Sequence, residues 1–269
     1  MTSETMDTAS VPETVPVVAV ILAAGQGSRF DPSQPKQLVS VGKREVIDWS
    51  IRAFERNARV SDIVVVVNNA VRGAVEKIAD RENYAKLRMI LNGGEQRSDS
   101  VSEALAALSS AGIPPQAKLL VHDASRPFVT DETITECVRA LNDRNAVVVA
   151  EPSDDAIAVT RDSGDRKVVE HVVPREEVVR LQTPQAFRFG TLSDAYRKAS
   201  EDDDFSGSTN DASVLLRYAQ QEEIGIVEGS VDNMAIVTVH DVAAAEDIAK
   251  AEALTAVRAM IGKMNTTGE

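Results

Sequence analysis

The segment from Val17 to Lys36, VVAVILAAGQGSRFDPSQPK, constrains the fold more than any other part of the chain. Its apolar run, Val17 to Leu22, gives way at once to Ala23, Ala24, Gly25 and Gly27. A continuous Val/Ile-rich run fits a strand buried on both faces, as in sheets covered by helices on each side. A small-residue loop at the end of such a strand brings backbone N–H groups close to an anion. Arg29 and Lys36 follow in the same loop. One offers a planar fork and the other a compact point charge, two geometries suited to phosphoryl oxygens. The loop lacks the Gly-Lys-Ser/Thr of a Walker loop. Phe30 stands where the dinucleotide motif needs its third glycine, and Asn68 and Asn69 stand where that motif ends its second strand in an acid. Both features argue against a nicotinamide-dependent dehydrogenase.

Strand-like runs recur at Ile63–Val67, Arg88–Leu91, Lys118–Val121 and Ala146–Ala150. Helical patterns separate them, over Val46–Arg56, Ala70–Asp80, Ser98–Ala111 and Asp131–Asn142. This alternation predicts an α/β fold, a Rossmann-like, mostly parallel sheet with helices on both faces. Ligands of such sheets bind beyond the carboxyl ends of strands. LAAGQGSRF and HDASRPF both lie at strand ends and are expected to meet in one crevice. The rhythm breaks after Ala150, where runs at Ala156–Thr160 and Lys167–Val173 flank a Ser163-Gly164-Asp165 turn. That pattern predicts a hairpin the sheet does not need, a protruding β-arm over about 151–180. Further helices are expected over Leu192–Ser200 and Thr209–Gln220, a strand over Ile224–Val227 and an Ala-rich closing helix over Val242–Ile261. The acidic run EDDDFSGS (Glu201 to Ser208) reads as a solvated loop rather than a metal site. Residues 1–15 read as a disordered tail, 16–262 as one domain carrying the arm, and 263–269 as a flexible C-terminus.

The net charge of −13 argues against a nucleic-acid partner, which needs a basic face. A polyanionic small ligand then requires cations gathered locally, and Arg29, Lys36, Arg97, Arg126 and Arg175 are the candidates. Cys137 is the single cysteine, so no internal disulfide forms and a reducing compartment fits. The first 15 residues lack the basic start and apolar middle of a signal peptide. The longest apolar run is about half the ~20 residues of a membrane span. A cytoplasmic protein without membrane contact is expected.

Beyond the first loop, four stretches carry a family signature: GGEQRSDSV (Gly93 to Val101), VHDASRPF (Val121 to Phe128), LQTPQAF (Leu181 to Phe187) and EGSVDN (Glu228 to Asn233). With LAAGQGSRF and PKQ, they make the chain from about Val17 to Lys250 resemble the cytidylyltransferases acting on 2-C-methyl-D-erythritol 4-phosphate, and their relatives acting on ribitol 5-phosphate. The resemblance implies attack by a polyol phosphate on the α-phosphorus of CTP with release of pyrophosphate, a step in isoprenoid precursor synthesis. It implies that Arg29 and Lys36 contact the triphosphate and stabilise the transition state. It places Leu22, Ala23, Ala24, Gly25 and Gly27 against the nucleotide, and Gly93, Gly94, Glu95, Arg97 and Ser100 around cytosine and ribose. Ser98 by itself reads as a cap for the helix that follows. Asp123 would hold Mg²⁺, a cation that favours carboxylate and phosphate oxygens, although a residue there also suits a helix cap or Asx turn. Ala124, Arg126 and Thr183 are counted with the nucleotide site, Thr183 in a TPQ turn.

Family members exchange the arm between two subunits, so a homodimer is implied, with Arg175 binding the acceptor phosphate across the interface. The chain departs from the family twice. Asp155-Ala156 replaces the usual Asp-Thr, and Ala235 falls where a lysine follows Asn-Ile. Both losses lie on the acceptor side, with Lys167, Arg180 and Arg188 as cations available to compensate. The alternatives are a ribitol-5-phosphate cytidylyltransferase making CDP-ribitol and a non-catalytic nucleotide-binding paralogue. Retention of Arg29, Lys36 and Asp123 argues against the last.

Overall fold

The computed structural model describes residues 15–27, 29–31 and 34–266. The expected N-terminal tail therefore falls almost wholly outside the described residues, as do the last three residues of the expected C-terminus. In chain order the elements are β1 (Val17–Ala23), β2 (Ser40–Val41), β3 (Arg44–Glu45), α1 (Val46–Arg56), β4 (Asp62–Val67), α2 (Asn69–Glu82), β5 (Leu87–Asn92), α3 (Arg97–Ser110) and β6 (Lys118–Asp123). There follow α4 (Asp131–Ala140), β7 (Ala146–Pro152), β8 (Ile157–Ser163), β9 (Arg166–Val173), β10 (Val179–Arg188), α5 (Phe189–Ser200), α6 (Asp211–Tyr218), β11 (Ile224–Glu228) and α7 (Asp241–Thr266).

Seven strands form one sheet in the order β11-β7-β10-β6-β1-β4-β5. β1 runs parallel to both β4 and β6, and its side chains are buried along its whole length. Alternate residues point to opposite faces, which is why both faces of a Val/Ile/Ala strand need cover. Ala19 and Ile21 pack with Ile51 and Phe54 of α1, Val71 of α2 and Ile134 of α4. Val18 and Val20 pack on the other side with Val101 of α3, Leu192 of α5 and Leu215 of α6. α7 covers the β2–β3 hairpin through Ala245 and Ala249, against Val41 and Phe128.

Several helix starts are fixed by side-chain caps. Asn68 Oδ1 accepts from the Ala70 and Val71 amides, so the residue that replaces a ribose-binding acid serves as a cap. Thr130 and Asn210 cap α4 and α6. At α3 the cap is Gln96 rather than Ser98, with Asp99 Oδ2 accepting from the Gln96 amide at 2.9 Å.

The expected arm is a two-stranded hairpin, β8 with β9, exposed along nearly its whole length. One element departs from the sequence reading. The LQTPQAF stretch, expected as a turn, is the heart of a ten-residue strand, β10, inserted antiparallel between β6 and β7. Pro184 brings no N–H to a ladder and the flanking residues are polar, so the pattern does not resemble a central strand. The structure accommodates this with a register shift against β7 between Leu181 and Gln185, and a cis Thr183–Pro184 bond. The buried polar side chains have partners: Gln185 Oε1 accepts from the Asp211 and Ala212 amides, and Gln182 Oε1 accepts from Asn233 Nδ2.

Candidate active site

A cleft of about 170 Å³ opens at the carboxyl ends of β1 and β6. Its walls are Leu22, Ala24, Gly25 and Lys36 from the first loop, Gly94, Glu95, Arg97 and Ser100 at the start of α3, and Asp123 at the end of β6. Motifs separated by more than 80 residues thus meet because β1 and β6 are neighbours with Leu22 beside Asp123. Gln37, the last residue of the PKQ motif, also lines the cleft. Its Nε2 donates to the Ala23 carbonyl at 2.9 Å and the Gly25 carbonyl at 2.7 Å, pinning the loop as it leaves β1. Gly27 takes the left-handed conformation (φ 66°) at the bend, where its carbonyl accepts from the Phe30 amide.

Gly93 has no room for a side chain. A Cβ there would lie 2.4 Å from Ser100 Oγ and 2.6 Å from Ala24 Cβ. Ser100 can rotate, but Ala24 sits on the wall of the cleft and has no rotamer to change. Gly93→Ala is expected to displace that wall, with a rise in KM for CTP of about tenfold and a stability loss of about 1–3 kcal/mol, as for overpacking. Steady-state kinetics and thermal melting check both.

Four charged side chains line the cleft: Lys36, Glu95, Arg97 and Asp123. Burial lowers the Lys36 ammonium below its ordinary value. Asp123 and Asp241 oppose the shift, and Arg29 and Arg126 add to it. Lys36 Nζ donates to the Ile236 carbonyl at 3.2 Å, and Arg126 Nη1 donates to the Asn233 carbonyl at 2.7 Å. The segment after β11 therefore steadies two site cations through its backbone. Arg29 is exposed and close enough to repel Lys36, but it is not among the residues that line the cleft. Burial alone would raise the Asp123 carboxyl, but the Arg97 guanidinium, by charge and hydrogen bond, and Arg126 outweigh it and hold the group below the ordinary carboxylate range. Arg97 lies between two acids: Nε donates to Asp123 Oδ1 at 3.1 Å, and Nη2 lies 2.8 Å from Asp211 Oδ2. Asp211, wholly buried, was not recognised from the sequence, where it follows an acidic run that reads as solvated.

Behind Asp123 stands a buried relay. The Asp123 amide donates to Thr183 Oγ1 at 3.1 Å, the Thr183 hydroxyl meets His122 Nδ1 at 3.0 Å, and His122 Nε2 meets the Arg126 carbonyl at 3.0 Å. A carbonyl only accepts, so Nε2 carries the proton, and Nδ1 accepts from the hydroxyl. Thr183 thus braces the Asp123 loop from behind. Burial pushes His122 down to about 4. A histidine held neutral contributes stability that is fully present above its unfolded value of about 6.5 and is lost as pH falls from there towards about 4, roughly 3 kcal/mol in all. Denaturant midpoints at pH 7 and pH 4.5 should show this slope in the parent chain, and His122→Gln should flatten it.

Other expected residues lie elsewhere. Ala124 is buried in the core behind the cleft. Arg175 is exposed between the arm and β10, away from the cleft walls. Of the cations named to compensate on the acceptor side, Arg188 is a correction. It lies at the opposite edge of the sheet, with its backbone beside Lys118 and Nη1 donating to the Gln116 carbonyl. β10 runs antiparallel to its neighbours, so its two ends serve opposite edges of the sheet. Lys167 sits near the arm tip, paired with Asp162. Only Arg180 lies at the edge that carries the cleft, paired with Glu151 at 3.2 Å.

Asp123 fits a divalent cation shared with phosphates. Its side chain is one-third exposed towards the cleft, and Arg97 engages only Oδ1. Among the described residues no group of three His, Cys, Asp or Glu could hold a metal alone, and no helix is long and apolar enough to cross a membrane.

The chain matches the 2-C-methyl-D-erythritol 4-phosphate cytidylyltransferase family over residues 17–251. It is 50% identical over 238 residues to the 2-C-methyl-D-erythritol 4-phosphate cytidylyltransferase of Bifidobacterium longum (strain DJO10A), covering 88% of this chain and 81% of that one. The bifunctional ribulose 5-phosphate reductase/CDP-ribitol pyrophosphorylase of Haemophilus influenzae is 33% identical, with 81% of this chain matching 44% of that protein. The crystal structure of 4-diphosphocytidyl-2C-methyl-D-erythritol synthase from Anaerococcus prevotii superposes with a TM-score of 0.75 at 25% identity, covering 88% of this chain and 96% of that one. With the fold and cleft matching the sequence, the chain belongs to the 2-C-methyl-D-erythritol 4-phosphate cytidylyltransferase family.

Proposed function

We propose that this chain transfers the cytidylyl group of CTP to 2-C-methyl-D-erythritol 4-phosphate. The convergence of Lys36, Asp123 and the Gly94–Ser100 turn on one cleft supports this reading most directly. An oxygen of the acceptor phosphate bonds to the α-phosphorus as the bond from that phosphorus to the bridging oxygen breaks, and pyrophosphate leaves. Both reactants are anions, so the chain's task is to align them and offset their repulsion. Arg29 clasps phosphoryl oxygens, while Lys36 follows the charge that develops on the leaving group. Gly93, Gly94, Glu95 and Ser100 receive cytosine and ribose. Leu22 to Gly27 lay their backbone along the triphosphate. Asp123 holds Mg²⁺, which neutralises phosphate charge when bound.

Arg175 serves the acceptor phosphate of a second copy, in a homodimer that exchanges arms. The apolar side chains Val169 and Val172, 62% and 61% exposed on the lone hairpin, support that exchange. A monomer mass by light scattering would overturn it. A cytoplasmic setting agrees with a single buried thiol.

The second reading, CDP-ribitol synthesis, draws on Ala156 and Ala235, the two acceptor-side departures. Pyrophosphate release from CTP, assayed with each polyol phosphate, separates the two. Turnover with methylerythritol phosphate is expected. Turnover with ribitol 5-phosphate alone would replace the acceptor, and turnover with neither would overturn both acceptors and leave only the cytidylyltransferase class.

A further inference from the structure

The Nε and Nη2 edge of a guanidinium is the edge that grips one carboxylate with two parallel hydrogen bonds. In Arg97 that edge is divided: Nε donates to Asp123 Oδ1, whereas Nη2 stands 2.8 Å from Asp211 Oδ2 in a buried ion pair that lacks hydrogen-bond alignment. Asp211 is held for this task from several sides. Its other oxygen, Oδ1, accepts from the Tyr196 hydroxyl at 2.6 Å, and its amide donates to Gln185 Oε1 at 2.9 Å. It begins α6 behind the Asn210 cap, so its backbone does not shift with the side chain. Asp211 and Tyr196 are both buried, the acid completely, whereas Asp123 keeps a third of its side chain in the cleft.

We infer that Asp211 is a positioning residue for the nucleotidyl-transfer site: by taking Nη2 of Arg97, it stops Arg97 from closing a two-bond fork on Asp123 and keeps Asp123 Oδ2 free for a cation bound with the triphosphate. This deepens the reading above and rests on Asp123 as the residue that meets the cation. Without the Asp211 charge, the Arg97 edge swings wholly onto Asp123. Cation and CTP must then compete with a bidentate guanidinium for one carboxylate. Tyr196 acts one step further back, by holding Asp211 in place.

The test compares the parent chain with Asp211→Asn, which keeps the shape and the Tyr196 contact. Two readouts are used: the Mg²⁺ concentration for half-maximal rate at saturating CTP, and Mn²⁺ binding to the protein–CTP complex by electron paramagnetic resonance, which needs no turnover. Both are expected to weaken about tenfold, while KM for CTP at saturating Mg²⁺ changes less than threefold. In an Arg97→Lys background, where no fork is possible, the same Asp211→Asn change should leave Mn²⁺ binding unmoved. Tyr196→Phe should move it in the same direction by about twofold, and decides the matter should Asp211→Asn not fold. Equal Mn²⁺ binding by the parent, Asp211→Asn and Tyr196→Phe proteins would overturn the inference. Failure of the parent complex to bind Mn²⁺ at all would overturn the reading of Asp123 beneath it.

Discussion

Replacing Lys36 by alanine is expected to lower kcat/KM for CTP about 1,000-fold while leaving the protein folded. The ammonium stands in the wall of the cleft, half-buried, with Asp123 and two arginines around it. A preorganised donor aimed at developing charge in such a site is worth about 10²–10³ in rate, and Lys36 also adds a full charge. Its role in the fold is small. Its side chain donates to the Ile236 carbonyl, and loss of such a bond costs about 1 kcal/mol. Lys36→Arg keeps the charge but spreads it over a wider fork, so partial activity is expected. Pyrophosphate release and thermal melting measured on the same preparations decide the point. Parent-like turnover by Lys36→Ala would remove the central cation from the proposed chemistry.

Arg97→Ala is the change with the largest expected effect on stability. The guanidinium is surrounded by protein, with 18% of the side chain exposed, and separates the wholly buried Asp211 from Asp123. Removing it leaves the buried Asp211 without its ion-pair partner and Asp123 with only Lys36 and Arg126 as nearby cations. Breaking a buried ion pair from one side costs about 3–5 kcal/mol, which for a chain of this size lowers Tm by about 10 °C. The pH dependence carries the signature. In the parent protein, the Asp123 carboxyl is depressed, so its contribution is present above the unfolded value and is lost as pH falls through the folded one. In Arg97→Ala, the Asp123 carboxyl loses the main charge that holds it low, so the deficit should be greatest at neutral pH and shrink towards pH 4. A loss of the same size at every pH would mean that packing, not charge, is what Arg97 provides.

Most of the fold could be read along the chain because it rests on local signals. β1, β4 and β7 are runs of Val, Ile, Leu and Ala that only a doubly covered sheet can bury. α1 was bounded correctly from Val46 to Arg56. β10 was missed because its identity comes from its neighbours. Gln182, Thr183 and Gln185 look like turn residues, and become strand interior only because Asn233, His122 and the start of α6 satisfy them. The capping residue of α3 was displaced by two positions for a related reason. Ser98 has the right chemistry, but the Gln96 amide finds Asp99 first.

The sequence by itself determined which residues would sit at the carboxyl edge of the sheet, because strand alternation and small-residue loops are encoded by neighbours a few positions apart. It also determined the cations available there, Arg29, Lys36, Arg97 and Arg126. Only the tertiary structure decided how their charge is shared. Asp211 lies 114 residues beyond Arg97 in the numbering, and no pattern along the chain links them. Packing of α5 and α6 over the sheet brings Asp211 against the guanidinium and takes it out of water. Coulomb interaction depends on separation and on the surrounding medium, and the chain sets both only after it has folded.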